Sequence, residues 1–131
     1  MSEQNVEIVR RGYEYYNRTG EPNYSLLDPE VVYDVSRRTF DPGVYHGHEG
    51  VREFTSLIRK QWATMRLEPQ EFFDAGDDVV VSIRLVGVGE ESGVETTAHA
   101  AHLWTFRNGK VVRQTTFQTT REALEAAGLS E

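Results

Sequence analysis

Cysteine is absent from the 131-residue chain. That absence removes disulfides, thiolate nucleophiles and thiolate metal sites together. Long apolar runs are missing as well: the longest purely aliphatic stretch is Val79-Val80-Val81, whereas a membrane-spanning helix needs about 20 apolar residues. No segment gathers lysine and arginine with interleaved aromatics. Acidic residues outnumber basic ones, 21 to 14, and the net charge of −7 repels a phosphate backbone. Gly87-x-Gly89 with Gly93 falls at a hairpin tip, not between a strand and a helix, so it is no dinucleotide fingerprint. There is no Gly-x-Ser-x-Gly elbow either. Nucleic acid, membrane and cofactor are therefore not expected partners. Met1-Ser2-Glu3-Gln4-Asn5 has neither the basic start nor the apolar run of a signal peptide, so a cytoplasmic protein is expected.

What is present reads as one domain over residues 1–131, a size that buries roughly two-thirds of the unfolded chain's surface. Val6, Val9, Tyr13 and Tyr16 recur at spacings of three and four, predicting a first helix from about Glu3 to Arg18. Gly20 and Pro22 stop it. After an Asp28-Pro29 turn, Val31-Val32-Tyr33-Asp34-Val35 reads as a strand, and Asp41-Pro42-Gly43 folds the chain back through Val44-Tyr45. A second helix is predicted from near His48 to near Met65, with Val51, Phe54, Leu57, Ile58, Trp62 and Met65 as its apolar stripe. Leu67–Phe73, Val79–Val88, Val94–Phe106 and Val111–Thr119 read as strands of an antiparallel meander joined by hairpin turns. Thr119 and Glu122 form a capping-box pair for a short last helix that Gly128 closes. The expected class is α+β, with N-terminal helices packed on a curved antiparallel sheet around one pocket.

Several segments carry a likeness to known proteins. They are Asn5 to Tyr13, Leu27-Asp28-Pro29-Glu30-Val31, Tyr45 to Phe54, Trp104 to Val111 and Glu122 to Leu129. Together they resemble SnoaL-like proteins of the nuclear transport factor 2-like superfamily, relatives of ketosteroid isomerases and polyketide cyclases. The resemblance implies a cone-shaped, cystatin-like α+β roll. It also implies cofactor-independent acid/base chemistry, with a base on the first strand in a Val-x-Asp context, matched by Val32-Tyr33-Asp34. The position of the family's late-strand acid falls on His102. The family's first-helix tyrosine corresponds to Tyr13 or Tyr16.

The residues themselves leave alternatives open. Asp34 sits among valines, where burial raises a carboxylate's pKa toward that of a useful base; a salt bridge to Arg37 or Arg38 is the plainer reading. His99 and His102 have odd spacing and point to opposite faces of their strand. If Arg107-Asn108-Gly109 is a three-residue loop, His102 faces Gln114, with Ala98, Ala100, Thr116 and Gln118 on its side. A two-residue loop would bring Thr115 and Phe117 there instead. His102 itself is either catalytic or a hydrogen-bonded core histidine. His46 and His48 lack a third ligand, so no metal site is expected; His48 or a neighbour is expected to cap the second helix. Tyr13, Tyr16, Tyr24, Phe54, Trp62 and Trp104 either line a cavity or fill the core.

The expected catalytic set is Asp34, His102, Tyr13 and Tyr16. The expected ligand-binding set is Val9, Phe54, Ile58, Trp62, Ala100, Gln114, Thr116 and Gln118. The function these imply is a cofactor-independent isomerase, cyclase or lyase acting on a steroid-, polyketide- or terpenoid-like molecule. The alternative is a non-catalytic ligand-binding or dimerisation module. A homodimer is expected through the sheet face carrying His99, Ala101, Leu103, Thr115 and Phe117.

Overall fold

Tight turns lay the chain from Trp62 onward into one meander. The computed structural model describes residues 2–38 and 41–129. Its elements are α1 (Ser2–Thr19), a 3-10 turn (Tyr24–Leu26), β1 (Leu27–Asp34), β2 (Val44–His46) and α2 (Gly47–Gln61). Then follow β3 (Trp62–Ala75), β4 (Asp78–Gly89), β5 (Glu95–Arg107), β6 (Lys110–Phe117) and α3 (Thr120–Ala126). The six strands form one sheet in the order β2-β1-β6-β5-β4-β3.

The sheet is mixed, not wholly antiparallel, because its second and third strands, β1 and β6, run parallel. Hairpins dictate the direction of sequence neighbours only. β1 and β6 meet across most of the chain, after the α2 crossover has reset the direction.

The second helix also ends earlier than its stripe suggested. Trp62 takes extended angles, φ −126° and ψ 125°, and its residue pairs with Gly89 while Met65 pairs with Gly87. Trp62 and Met65 are therefore strand residues on β3. Pairing with β4 satisfies the backbone from Trp62 onward, and that overrides a helical spacing of side chains.

The turn after β5 decides which β6 side chains join His102. Arg107 pairs with Lys110, so the loop is the two residues Asn108 and Gly109, with φ of 54° and 76°. That left-handed pair is the hairpin turn favoured by strand twist. A bulge follows: Thr105 pairs with Arg113 while Phe106 pairs with Val111, leaving Val112 as the extra residue. The bulge restores the parity that the two-residue loop had shifted. His102 lies opposite Thr116 and Trp104 opposite Gln114, so the even-numbered residues of both strands share a face.

α1 is fixed to the sheet at both ends. Asn5 donates to the Asp77 carbonyl at 2.7 Å. Asn17 both donates to the Leu67 carbonyl and accepts from its N–H, each at 2.8 Å, as a neighbouring strand would. α2 starts at His46, which makes no side-chain cap, and Gly47 takes φ 72°. The expected cap by His48 is replaced by a tether: its Nε2 lies 3.0 Å from the Leu27 carbonyl.

A core of Val9, Tyr13, Val31, Tyr33, Val51, Val79, Val81 and Ile83 lies between the long helices and the sheet. A smaller cluster sits on the other face, where Ala123 and Leu124 of α3 cover Val80, Ala101 and Phe117. Thr119 accepts from the Glu122 N–H at 3.1 Å to start α3, and Gly128 at φ 82° ends it. Ala101 and Phe117, expected on an open dimer face, are thus buried by the chain's own last helix.

Gly87 stands under the indole of Trp62, and a Cβ there would come within 2.6 Å of the ring. Gly87→Ala must push Trp62 aside. It should cost about 1–3 kcal/mol, as overpacking does, and shift the tryptophan emission. Urea unfolding followed by fluorescence checks both; an unchanged midpoint and spectrum would show that the ring does not rest on Gly87.

Candidate functional site

Between α1, α2 and the covered face of the sheet lies a cavity of about 400 Å³, within the range of small-molecule sites. Val9, Tyr13 and Tyr16 reach it from α1, Phe54 and Ile58 from α2, and Trp62 from β3. Ala100 and His102 of β5, Gln114 and Thr116 of β6, and Gln118 just beyond complete the expected set. Every residue named from sequence for this site lines the cavity except Asp34.

One polar junction stands out in the apolar wall. The Tyr13 hydroxyl is 2.7 Å from His102 Nδ1 and accepts from the Trp104 indole N–H at 3.0 Å. The Tyr13 and His102 ring planes are parallel to within 1°, with centroids 5.9 Å apart.

The proton positions follow from what each group can do. An indole N–H only donates, so the tyrosine oxygen must accept from it. The tyrosine's own proton has no other acceptor among the described residues, and it is therefore given to His102 Nδ1. Burial, and then the positive charge of Arg38, depresses the His102 pKa to about 3, so the ring is neutral at ordinary pH. A neutral imidazole whose Nδ1 accepts carries its proton on Nε2. That Nε2–H has no partner among the described residues, in a side chain that lines the cavity. Burial likewise drives the Tyr13 pKa up, which keeps the phenol protonated.

Asp34 is elsewhere. Side chains alternate along β1, so Tyr33 faces the cavity with Gln114, and Asp34 faces the other side of the sheet with Thr115. Its carboxylate accepts from Arg113 Nη2 at 2.6 Å and from the Ser36 N–H and hydroxyl at 3.0 and 2.6 Å. Arg37 lies 3.8 Å away. Partial burial acts to raise the Asp34 pKa, but the Ser36 hydrogen bonds and the Arg113 charge outweigh it, and the net shift is downward. The expected base is thus a clamped anion of lowered basicity, remote from His102. Its main partner, Arg113, is also not one of the two arginines read as its alternatives.

Sequence reasoning missed Tyr33, Arg37 and Arg38 as cavity residues. Tyr33 had a signal: it alternates with Asp34, so the two cannot share a face. The arginines had none, because they follow β1 in a turn whose direction no periodicity reports. Among the described residues, no group of acidic or histidine side chains is arranged to hold a metal. No described helix is long and apolar enough to cross a membrane.

Three helices on a mixed sheet around one cavity define the α+β cone of nuclear transport factor 2-like proteins. Within that class the chain belongs to the SnoaL-like domain family, whose model matches residues 9–114. Among solved structures it is similar to TerC co-crystallised with polyporic acid, at 28% identity and TM-score 0.77 over 95% of this chain and 98% of that one. A nuclear transport factor 2-like protein of unknown function from Burkholderia pseudomallei K96243 is 27% identical, with TM-score 0.75 over 93% and 95%. A putative SnoaL-like polyketide cyclase from Jannaschia sp. CCS1 shares the fold at 19% identity and TM-score 0.75, over 99% of this chain and 95% of that one. No curated protein sequence matches the chain.

Keeping His102 neutral has a pH signature. The unfolded histidine titrates near 6.5 and the folded one near 3, so stability should fall as pH drops below the higher value. At about 1.4 kcal/mol per unit, acidifying to about pH 4.5 should remove roughly 2–3 kcal/mol. Asp34 does not blur this window: its pKa is lowered from 3.8, so its contribution persists until the pH falls below that value. Thermal melts between about pH 7 and 4.5 should show the decline, and His102→Gln should flatten it. A wild-type melting temperature constant over that range would contradict the neutral buried ring.

Proposed function

We propose that the chain binds a flat, largely apolar molecule carrying one or two oxygens, and that His102 Nε2–H is the donor that fixes one of them. The observation that carries this reading is the junction of Tyr13, Trp104 and His102, which leaves one unspent donor in an apolar cavity of about 400 Å³. Steroid-, polyketide- or terpenoid-like molecules have that shape and chemistry. The similarity to a structure crystallised with polyporic acid supports a small organic ligand here.

Of the two roles such a pocket can have, the geometry favours binding. The cavity has no carboxylate in its wall among the described residues. His102, with a pKa pressed to about 3, is a weak base. Isomerase, cyclase or lyase chemistry is the second reading, favoured by the family. There His102 would polarise a ligand carbonyl as it becomes an enolate, which such a donor stabilises more than the ground state.

The assembly proposed with this reading is a cytoplasmic homodimer. Its contact is the part of the outer sheet face that α3 leaves open, around Val86, Val88 and Thr97. Light scattering should give twice the 15.0 kDa chain mass; a monomer at micromolar concentration would count against this contact.

Tryptophan fluorescence tests binding, since Trp62 and Trp104 both line the cavity. Titration with a panel of steroid, polyketide and terpenoid ketones should give a saturable change for at least one of them. His102→Ala should weaken that ligand about tenfold, the worth of one buried hydrogen bond. Asp34→Asn should lower the melting temperature and leave affinity within about twofold. A flat response to the whole panel would sink the reading, and loss of binding in Asp34→Asn would return that carboxylate to the site.

A further inference from the structure

The cavity's formal charge is of one sign. Arg37 and Arg38 contribute to its wall, and no aspartate or glutamate among the described residues does. The protein as a whole carries −7, so a cavity that keeps arginines and excludes carboxylates runs against the chain's own balance.

The two arginines are committed differently. Arg37 is exposed, lies 3.8 Å from the Asp34 carboxylate and rests over the Phe117 ring at 4.8 Å. The carboxylate beside it is one it shares with Arg113. Arg38 is half-buried and stands over the Phe54 ring at 5.3 Å. It makes no ion pair or side-chain hydrogen bond with any described residue. Asp41 is close enough to favour its charge, but no direct ion pair joins the two; Asp41 Oδ2 accepts from Gln61 Nε2 at 2.5 Å instead. Arg38 is also close enough to His102 for its charge to disfavour the imidazolium there. A guanidinium and an N–H donor therefore look into the same space. Partly burying a guanidinium without a directly paired carboxylate is costly, and an incoming anion reduces that cost.

We infer that the cavity selects acids: a flat apolar molecule whose carboxylate or ionised enol is held between the Arg38 guanidinium and His102 Nε2–H. This rests on the small-molecule reading above and adds to it the charge of the ligand. The planar guanidinium fork suits two-oxygen anions, and its stacking on Phe54 presets its orientation. A neutral ketone would satisfy His102 alone and leave Arg38 unpaired.

The test uses 2-naphthoate and 2-naphthamide, which share ring, size and planarity and differ in charge. At neutral pH the wild-type protein should bind the acid at least tenfold more tightly than the amide, by calorimetry and tryptophan fluorescence. Raising the salt concentration should weaken the acid and not the amide, since only an ion pair is screened. Arg38→Met keeps an apolar stem on Phe54 and removes the charge. It should cost the acid tenfold or more and change the amide less than twofold. Equal wild-type affinities for the two compounds would overturn the selectivity and leave the pocket reading standing. Binding of neither would overturn both. If Arg38→Met does not fold, the wild-type comparison and its salt dependence still decide.

Discussion

The Tyr13 hydroxyl is the point on which the rest of the structure turns. It joins α1 to β5 through His102 and Trp104, 89 and 91 residues away in sequence. A phenol buried to 3% exposure must find partners or lose the full cost of desolvation. Here it receives one proton and gives one, so both of its obligations are met inside the core. Phe72 and Trp104 meet its ring edge-on at 6.5 and 5.8 Å, which holds the hydroxyl where the hydrogen bonds need it. The helix is thereby set at a distance from the sheet that leaves a cavity, and the neutral imidazole is presented to that cavity.

Strand parity then sorts charge. On β1 and β6, Tyr33 and Gln114 go inward while Asp34, Arg113 and Thr115 go outward. The outward set makes a short network: Arg113 reaches both Asp34 and the Thr115 hydroxyl, at 2.6 and 3.3 Å. It lies where the parallel pair β1–β6 ends and ties the two strands together, a structural use for a carboxylate that chemistry could have claimed. The bulge at Val112 keeps Gln114 and Thr116 inward beside His102. Without that extra residue Thr115 would stand opposite His102, and Gln114 and Thr116 would turn to the outer face.

The family's fold carries many chemistries, and the side chains on its inner face choose among them. In this chain β5 presents a histidine kept neutral by burial and by Arg38, and the Asp34 carboxylate of β1 is turned away. What remains inside is a set of donors: imidazole N–H, guanidinium and amide. Such a set recognises oxygen, most strongly when it carries negative charge.

Much of this was legible in the chain itself. Three-and-four spacing marked α1, turn residues marked the hairpins, and Thr119, Glu122 and Gly128 marked α3, because these signals are local and need no partner. The cavity's apolar residues were legible for the same reason: Val9, Tyr13, Phe54 and Ile58 lie on one side of their helices whatever those helices pack against. Trp62 and Met65 were misread because helical spacing and a bulged strand can present the same residues to one side. What only the tertiary structure decided was direction and pairing between distant segments. β1 lies parallel to β6, α3 covers Ala101 and Phe117, and Arg113 reaches back to Asp34. Alternation alone put Tyr33 and Asp34 on opposite sides, but which side held the cavity depended on where the helices landed. That outcome is set by long-range packing, which no local pattern encodes.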